Sequence, residues 1–381
     1  MATSNGAQAI KTVGVPKEVK TMEGRVSLTP DDVREFERLG IDVFVETGAG
    51  LGASITDEEF VAAGATIVPT AADAWSQQMV VKVKEPKEEE FGYLRDDLTL
   101  FTYLHLSAYP KVAEALVKAG TTAVAYETVQ AADGSLPLLA PMSEIAGRLA
   151  TQAGARFLER PQGGRGVLMG GAPGVRPANV VVIGAGNVGY NAAWIAAGML
   201  ANVTILDKNL DRLRFLDQIC IGRTTTLASN RGSIERALLD ADLVVGAVLV
   251  AGARAPIVVS EDMVRSMKPG SVIVDVAVDQ GGCIATTRET SHVDPIYMQH
   301  GVVHYAVGNM PGAVPYTSTY ALTNATLPYQ IDLARFGAQV AIEKSEALRH
   351  GLNTARGCIT NEAVARDLSR EYVAPLSVFT R

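Results

Sequence analysis

The stretch Asn179–Asp207, NVVVIGAGNVGYNAAWIAAGMLANVTILD, decides how this chain folds. Val180, Val181, Val182 and Ile183 form an apolar run of strand length. Gly184, Gly186 and Gly189 follow in G-x-G-x-x-G spacing, then an alanine-rich helical segment, a second strand, and Asp207 at its tip, 18 residues past the last glycine. A lone G-x-G-x-x-G is weak evidence, but with the strand, the helix and the acid it makes the dinucleotide-binding fingerprint. Gly184 allows the sharp strand-to-helix turn, Gly186 lets the backbone approach a pyrophosphate, and Gly189 lets the helix pack close to the sheet. The N–H groups of Asn187, Val188 and Gly189 at the helix start would face the phosphate charge. Asp207 would accept hydrogen bonds from the adenosine ribose hydroxyls and repel a 2′-phosphate, which favours NAD over NADP. The competing interpretation is a βαβ unit that holds no ligand.

At 381 residues the chain is long enough for two domains. Its hydrophobic share of 48% and charged share of 20% are those of a globular protein. The net charge of -7 argues against nucleic-acid and anionic-membrane partners. No apolar run approaches the ~18 residues of a membrane span. The start, MATSNGAQAIKT, lacks the apolar core of a signal peptide and reads as a short disordered lead, so a cytoplasmic location is expected. The three cysteines are scattered and the five histidines lack ligand spacing, so neither a disulfide framework nor a metal site is expected.

The fingerprint begins near residue 180, so something of domain size precedes it. Residues 11–140 alternate between strand patterns (TVGVPKE, DVFVET, MVVKVKEP, LTLFTYLHL, TTAVAYETV) and helix patterns (Pro30–Leu39, Asp57–Ala63, Lys111–Ala119). Pro141–Leu158 reads as a long connecting helix. ADLVVGAVLV, GSVIVDVAVD and VVHYAVGN read as further strands, and Leu327–Glu346 as a helix. The expected architecture is α/β, with two Rossmann-like doubly wound domains joined by long helices. Residues 1–140 and 316–381 would form a discontinuous substrate domain, to which the C-terminal helices return, and 141–315 the NAD domain.

A nicotinamide enzyme needs groups that hold substrate and move protons, because the cofactor carries only the hydride. Arg25, in the loop EGRV, could grip a carboxylate with its two-point fork, or be a solvated surface arginine. Lys82 and Lys84 in VKVKEP would share one face of a strand, which could equally be the charged face of an edge strand. Lys84 sits at the expected C-terminal tip, where ligands gather in open α/β sheets, and is the better candidate. His105 closes LTLFTYL and could exchange protons near neutral pH, or be a core histidine bonded to backbone. Asp279 completes VIVDVAVD at a strand tip, and Asp275, within the strand, is its rival.

With these residues in place, the chain resembles the bacterial alanine dehydrogenases, whose N-terminal domain and cofactor fold are shared with part of the nicotinamide nucleotide transhydrogenases. The resemblance spans about residues 11–375, through blocks such as EGRVSLTP, VVKVKEP, LFTYLHL, AYETVQ, LPLLAPMSEIAGRLA, QGGRGVLMGG, VDVAVDQGGC and TSTYALTNATLPY. It implies reversible oxidative deamination of L-alanine to pyruvate and ammonium with NAD, by a homo-hexamer. Arg25 and Lys84 would hold the substrate carboxylate and carbonyl, His105 would be the acid–base residue, and Asp279 would assist proton transfer. Ser143, Asp207, Ser229, Val248, Leu249, Asn309 and Met310 would line the cofactor site with the glycine turn. Two departures stand out. Gly308 replaces a frequent alanine, and Phe336 stands where some relatives carry a histidine proposed to bind a divalent ion. Two other functions compete: the soluble NAD-binding domain of a transhydrogenase, which lacks the MSEIAGR segment present here, and an inactive NAD sensor, which would have lost one of the four catalytic positions.

Overall fold

Short runs of β-branched and apolar residues build the first sheet. The computed structural model describes residues 9–220, 222, 224–248 and 255–380. The expected N-terminal lead, over residues 1–8, and Leu249 lie outside the described residues. Strands β1 (Thr12–Val15), β2 (Asp42–Glu46), β3 (Thr66–Val68), β4 (Met79–Val81), β5 (Thr99–Thr102) and β6 (Thr122–Ala125) alternate with helices. All six pair in parallel, in the order β3-β2-β1-β4-β5-β6. Their continuous apolar character follows from burial on both faces, as at Met79, Val80 and Val81. Helix starts are set locally. Thr29 and Asp32 form a capping box at helix Pro30–Arg38, and Thr56 and Glu59 form one at Asp57–Ala62.

The second sheet repeats the pattern. Strands β7 (Asn179–Ile183), β8 (Asn202–Asp207), β9 (Thr224–Ala228), β10 (Leu243–Gly246), β11 (Val272–Asp275) and β13 (Val302–Tyr305) are ordered β9-β8-β7-β10-β11-β13, with β12 (Ile296–Gln299) antiparallel on the outer side of β13. Alternate residues of β7 serve opposite layers. Val180 and Val182 pack with Ala192, Ala193 and Ala196 of helix Asn187–Gly198, while Val181 and Ile183 pack with Ile234 and Leu238 of helix Arg231–Leu239.

Contacts divide the chain into one unit running up to Met142 and resuming at Val314, and a second, Ser143–Ala313. The first unit is therefore discontinuous. Its returning segment brings strands as well as the expected helices. β14 (Leu352–Ala355) pairs antiparallel with β6, and β15 (Cys358–Ile359) with β14. The helix expected from Leu327 begins at Pro315 and runs to Lys344, with a non-helical residue at Gly337. Its first half is hard to recognise because its buried side is polar: Ser318, Thr319, Thr323 and Thr326 are all buried. Thr323 and Thr326 return their hydroxyls to carbonyls three residues back. Among the described residues, no helix is long and apolar enough to cross a membrane.

Candidate active site

In the second unit the strand order reverses between β7 and β10, and the glycine turn lies at that point. Gly184 has φ +105, and a Cβ there would lie 2.4 Å from the Ala247 carbonyl oxygen. A Cβ on Gly189 would lie 1.7 Å from the Gly184 carbonyl oxygen, so helix and turn touch backbone to backbone. Gly186 differs, since the nearest atom to a Cβ there is Arg212 Nη1 at 3.6 Å. Open backbone facing a guanidinium suits a pyrophosphate in both space and charge. Asp207 ends β8, accepting from Ala185 N at 2.6 Å and Asn209 N at 2.7 Å, so its carboxylate is fixed beside the turn. Ser229 N donates to the Asp207 carbonyl at 2.9 Å, and Val248 N lies 3.2 Å from the Cβ position of Gly184. Ser143 is one helical turn before Gly147, whose Cβ position is 2.2 Å from the Val188 carbonyl oxygen, so this helix abuts the one that follows the turn.

β11 stops at Asp275, so Asp279 does not complete the strand as its sequence suggests. It lies on the 3-10 turn Val276–Gln280. Asp275 causes the early stop. Fully buried, it accepts from Ala277 N, Cys283 N, Ile284 N and Thr287 Oγ1 at 2.7–3.2 Å, which curls the chain around its carboxylate. Asp279 is exposed, and Asn309 N donates to its Oδ2 at 3.4 Å. Met310 is buried in the core next to it in sequence. A Cβ on Gly308 would lie 2.4 Å from Glu289 Oε1 and 3.0 Å from Asp279 Oδ1. Glu289 thus occupies the space that an alanine methyl group would need.

In the first unit the reversal lies between β1 and β4, and the loops leaving these strands carry Arg25 and Lys84. Arg25 is not a surface arginine. It is 2% exposed, and Glu23 binds its Nε at 2.6 Å and its Nη2 at 2.5 Å. Burial opposes the charge on both groups. The fork-to-fork pairing overcomes it, holding the arginine above and the Glu23 carboxyl below their ordinary ranges.

The strand expected through Lys84 ends at Val81, because Glu18 Oε1 takes the Val83 N–H at 2.6 Å and the Lys84 N–H at 3.3 Å. Lys82 does not face solvent, and β4 is an interior strand. Lys82 Nζ lies 2.8 Å from Glu90 and 3.4 Å from Glu18. Lys84 is also buried. Burial, then the charges of Arg25 and Lys20, lower its pKa to about 8. Its Nζ is 5.8 Å from the centroid of the Tyr103 ring, and that ring lies parallel to the His105 imidazole at 5.7 Å.

His105 does not close its strand, which ends at Thr102, and with its side chain 37% exposed it is not a core histidine. It has φ +47, and its N–H donates to Glu127 Oε1 at 2.6 Å. Lys84 and His105 therefore flank Tyr103 at the carboxyl ends of the strands, and the Arg25 charge acts on both Lys84 and Tyr103. Tyr103, Glu23 and Glu127 escaped the sequence reading. Glu127 had a usable signal, an acid just past a strand end in AYETV.

The arrangement offers fixed cations for a small carboxylate beside a titratable imidazole, and a separate turn shaped for a dinucleotide. "Alanine dehydrogenase/PNT, N-terminal domain" matches residues 14–146, and "Alanine dehydrogenase/PNT, C-terminal domain" matches residues 150–362. The chain belongs to the alanine dehydrogenase/PNT family. Within that family it is 56% identical to an alanine dehydrogenase of Bacillus subtilis (strain 168) over 362 residues, 95% of this chain and 96% of the relative. A solved L-alanine dehydrogenase structure superposes with a TM-score of 0.92 at 53% identity, covering 94% of this chain and 99% of the other. A transhydrogenase structure from Sinorhizobium meliloti is more distant, with a TM-score of 0.79 at 25% identity over 92% of this chain and 99% of the other. At Phe336 the family fold places an aromatic ring under two cations, with Lys344 Nζ 4.0 Å and the Arg335 guanidinium 5.3 Å from its centroid. Among the described residues, no three His, Cys, Asp or Glu side chains gather as a metal ion would require.

Proposed function

We propose that the protein is an NAD-dependent L-alanine dehydrogenase, interconverting L-alanine with pyruvate and ammonium. One observation carries the reading: at the strand reversal of the first unit, buried Lys84 and His105 flank a single tyrosine, and the charge of buried Arg25 acts on both Lys84 and that tyrosine. A small, three-carbon carboxylate-bearing substrate matches that charge, and an ammonium group matches the histidine. Arg25, oriented by Glu23, and Lys84 bind the carboxylate and the oxygen that becomes the pyruvate carbonyl. His105 removes a proton from the alanine ammonium, since a protonated amine has no lone pair to expel a hydride.

Gly184, Gly186, Asn187, Val188, Gly189 and Asp207 would hold the dinucleotide, with Ser143, Ser229, Val248, Leu249, Asn309 and Met310 lining its site. When bound, NAD supplies the acceptor for the hydride leaving Cα. Hydrolysis of the resulting imine needs water and proton transfers, which we assign to Asp279 and His105. The fixed Asp207 carboxylate supports NAD over NADP. By resemblance, the enzyme works as a homo-hexamer in the cytoplasm.

The test is NADH absorbance with purified protein, L-alanine, and NAD⁺ or NADP⁺, beside a His105→Ala variant. The expected outcome is alanine-dependent reduction of NAD⁺ alone, cut to a small residual rate in the variant. Tight NADH binding without turnover would move the reading to a nucleotide-binding module.

A further inference from the structure

Glu127 lies on the 3-10 turn Tyr126–Thr128 that follows β6, the neighbour of β5, and its carboxylate reaches across to the loop after β5. Both of its oxygens accept from Leu104 N at 3.2 Å, and Oε1 also accepts from His105 N at 2.6 Å. These bonds satisfy the N–H groups exactly where the chain turns left-handed at His105, a conformation that non-glycine residues keep only when their surroundings enforce it. Further along the loop, Ala108 N and Tyr109 N donate to the His105 carbonyl, and the parallel Tyr103 ring flanks the imidazole. The same Oε1 lies 3.8 Å from His105 Nδ1, too long for a hydrogen bond but within reach of an ion pair.

We propose that Glu127 is the positioning residue of His105: it fixes the left-handed backbone and faces Nδ1, leaving Nε2 as the nitrogen that exchanges protons with the substrate. This deepens the alanine dehydrogenase reading and rests on it for the substrate. A backbone clamp alone would work with any acceptor. A negative charge facing Nδ1 does more, because it favours the Nδ1–H tautomer and steadies the imidazolium formed when His105 takes a proton. Lys84 also borders this cluster, its Nζ 5.8 Å from the centroid of the Tyr103 ring.

The experiment compares steady-state kinetics of the wild type, Glu127→Gln, His105→Ala and the double variant, and reads the His105 tautomer by ¹⁵N NMR of histidine-labelled protein, with His105→Ala assigning the signal. Glutamine keeps the shape and an acceptor oxygen but removes the charge. Glu127→Gln should lower kcat by at least about tenfold, with KM for alanine and affinity for NADH nearly unchanged. It should cost nothing further in the His105→Ala background, because it acts through that histidine. The neutral wild-type imidazole should carry its proton on Nδ1. An unchanged kcat in Glu127→Gln, an undiminished loss on top of His105→Ala, or an Nε2–H tautomer in the wild type would overturn the proposal. The wild-type spectrum decides even if the variant misfolds. Absent alanine turnover by the wild type would defeat the substrate reading, while the spectrum would still decide the role of Glu127.

Discussion

At Lys84, burial and two neighbouring cations act in the same direction, lowering its pKa from 10.5 to about 8. Below about 8 the folded and unfolded chains both hold this proton, and the cost of a buried charge is fully present. Between about 8 and 10.5 the folded chain has released it and the unfolded chain has not, so this residue's contribution to stability rises with pH across that window. The difference corresponds to about 3 kcal/mol. Lys84→Met should therefore melt above the wild type at pH ~7, with the gap closing as pH rises through the window. Calorimetric melts across pH measure this, and a gap independent of pH would contradict it. Gly189 is constrained by contact rather than charge. With a Cβ position 1.7 Å from a backbone oxygen, Gly189→Ala should destabilise by about 3 kcal/mol or more and weaken NADH binding, read by urea midpoint and fluorescence titration.

At the scale of elements, the segment that leaves β4 keeps backbone bonds on its β5 side, Lys82 N to the Phe101 carbonyl and Tyr103 N to the Val83 carbonyl, while a buried ion cluster holds its other N–H groups. Lys82 links Glu18 to Glu90, while Glu18 holds the Val83 and Lys84 N–H groups and Glu90 caps Lys87 N. Burial raises the Glu18 carboxyl despite the opposing charge of Lys82. Removing the cation strands two buried carboxylates, so Lys82→Ala should cost about 3–5 kcal/mol by chemical denaturation. Lys82→Met with Glu90→Met, which removes a whole ion pair and restores volume, should cost less. If the single and double changes cost the same, the cluster is not what holds this segment.

For the whole molecule, the division of residues between the two units predicts a division of functions. The residues proposed to hold the dinucleotide belong to Ser143–Ala313, whereas Arg25, Lys84 and His105 belong to the discontinuous unit. Saturating NADH at about 100 times its Kd should stabilise the protein by about 2.7 kcal/mol, and the same shift should persist in His105→Ala. Asp207→Ala should keep turnover while narrowing the preference for NAD⁺ over NADP⁺, read as a ratio of kcat/KM values. A His105→Ala protein that no longer responded to NADH would show that the two functions are not separable.

Much of this protein was legible in its sequence, because much of it depends on short-range demands. The turn from β7 into its helix needs glycine where φ is positive and where two backbones touch, and both needs arise within six residues. The capping boxes at Thr29 and Thr56, and the apolar runs of the parallel strands, are equally local. Tertiary structure alone decided the rest. Whether Lys82 faces water depends on Glu18 and Glu90, and Glu18 stands 65 residues before the Val83 N–H it accepts. The return of β14 to pair with β6 depends on a four-residue run, LNTA, that carries no alternation. His105 and Glu127 meet only because β5 and β6 are neighbours. Local sequence determines which conformations a segment can adopt. Which charges share a strand tip, and so which side chains can do chemistry together, is settled only when distant segments pair and water is excluded from between them.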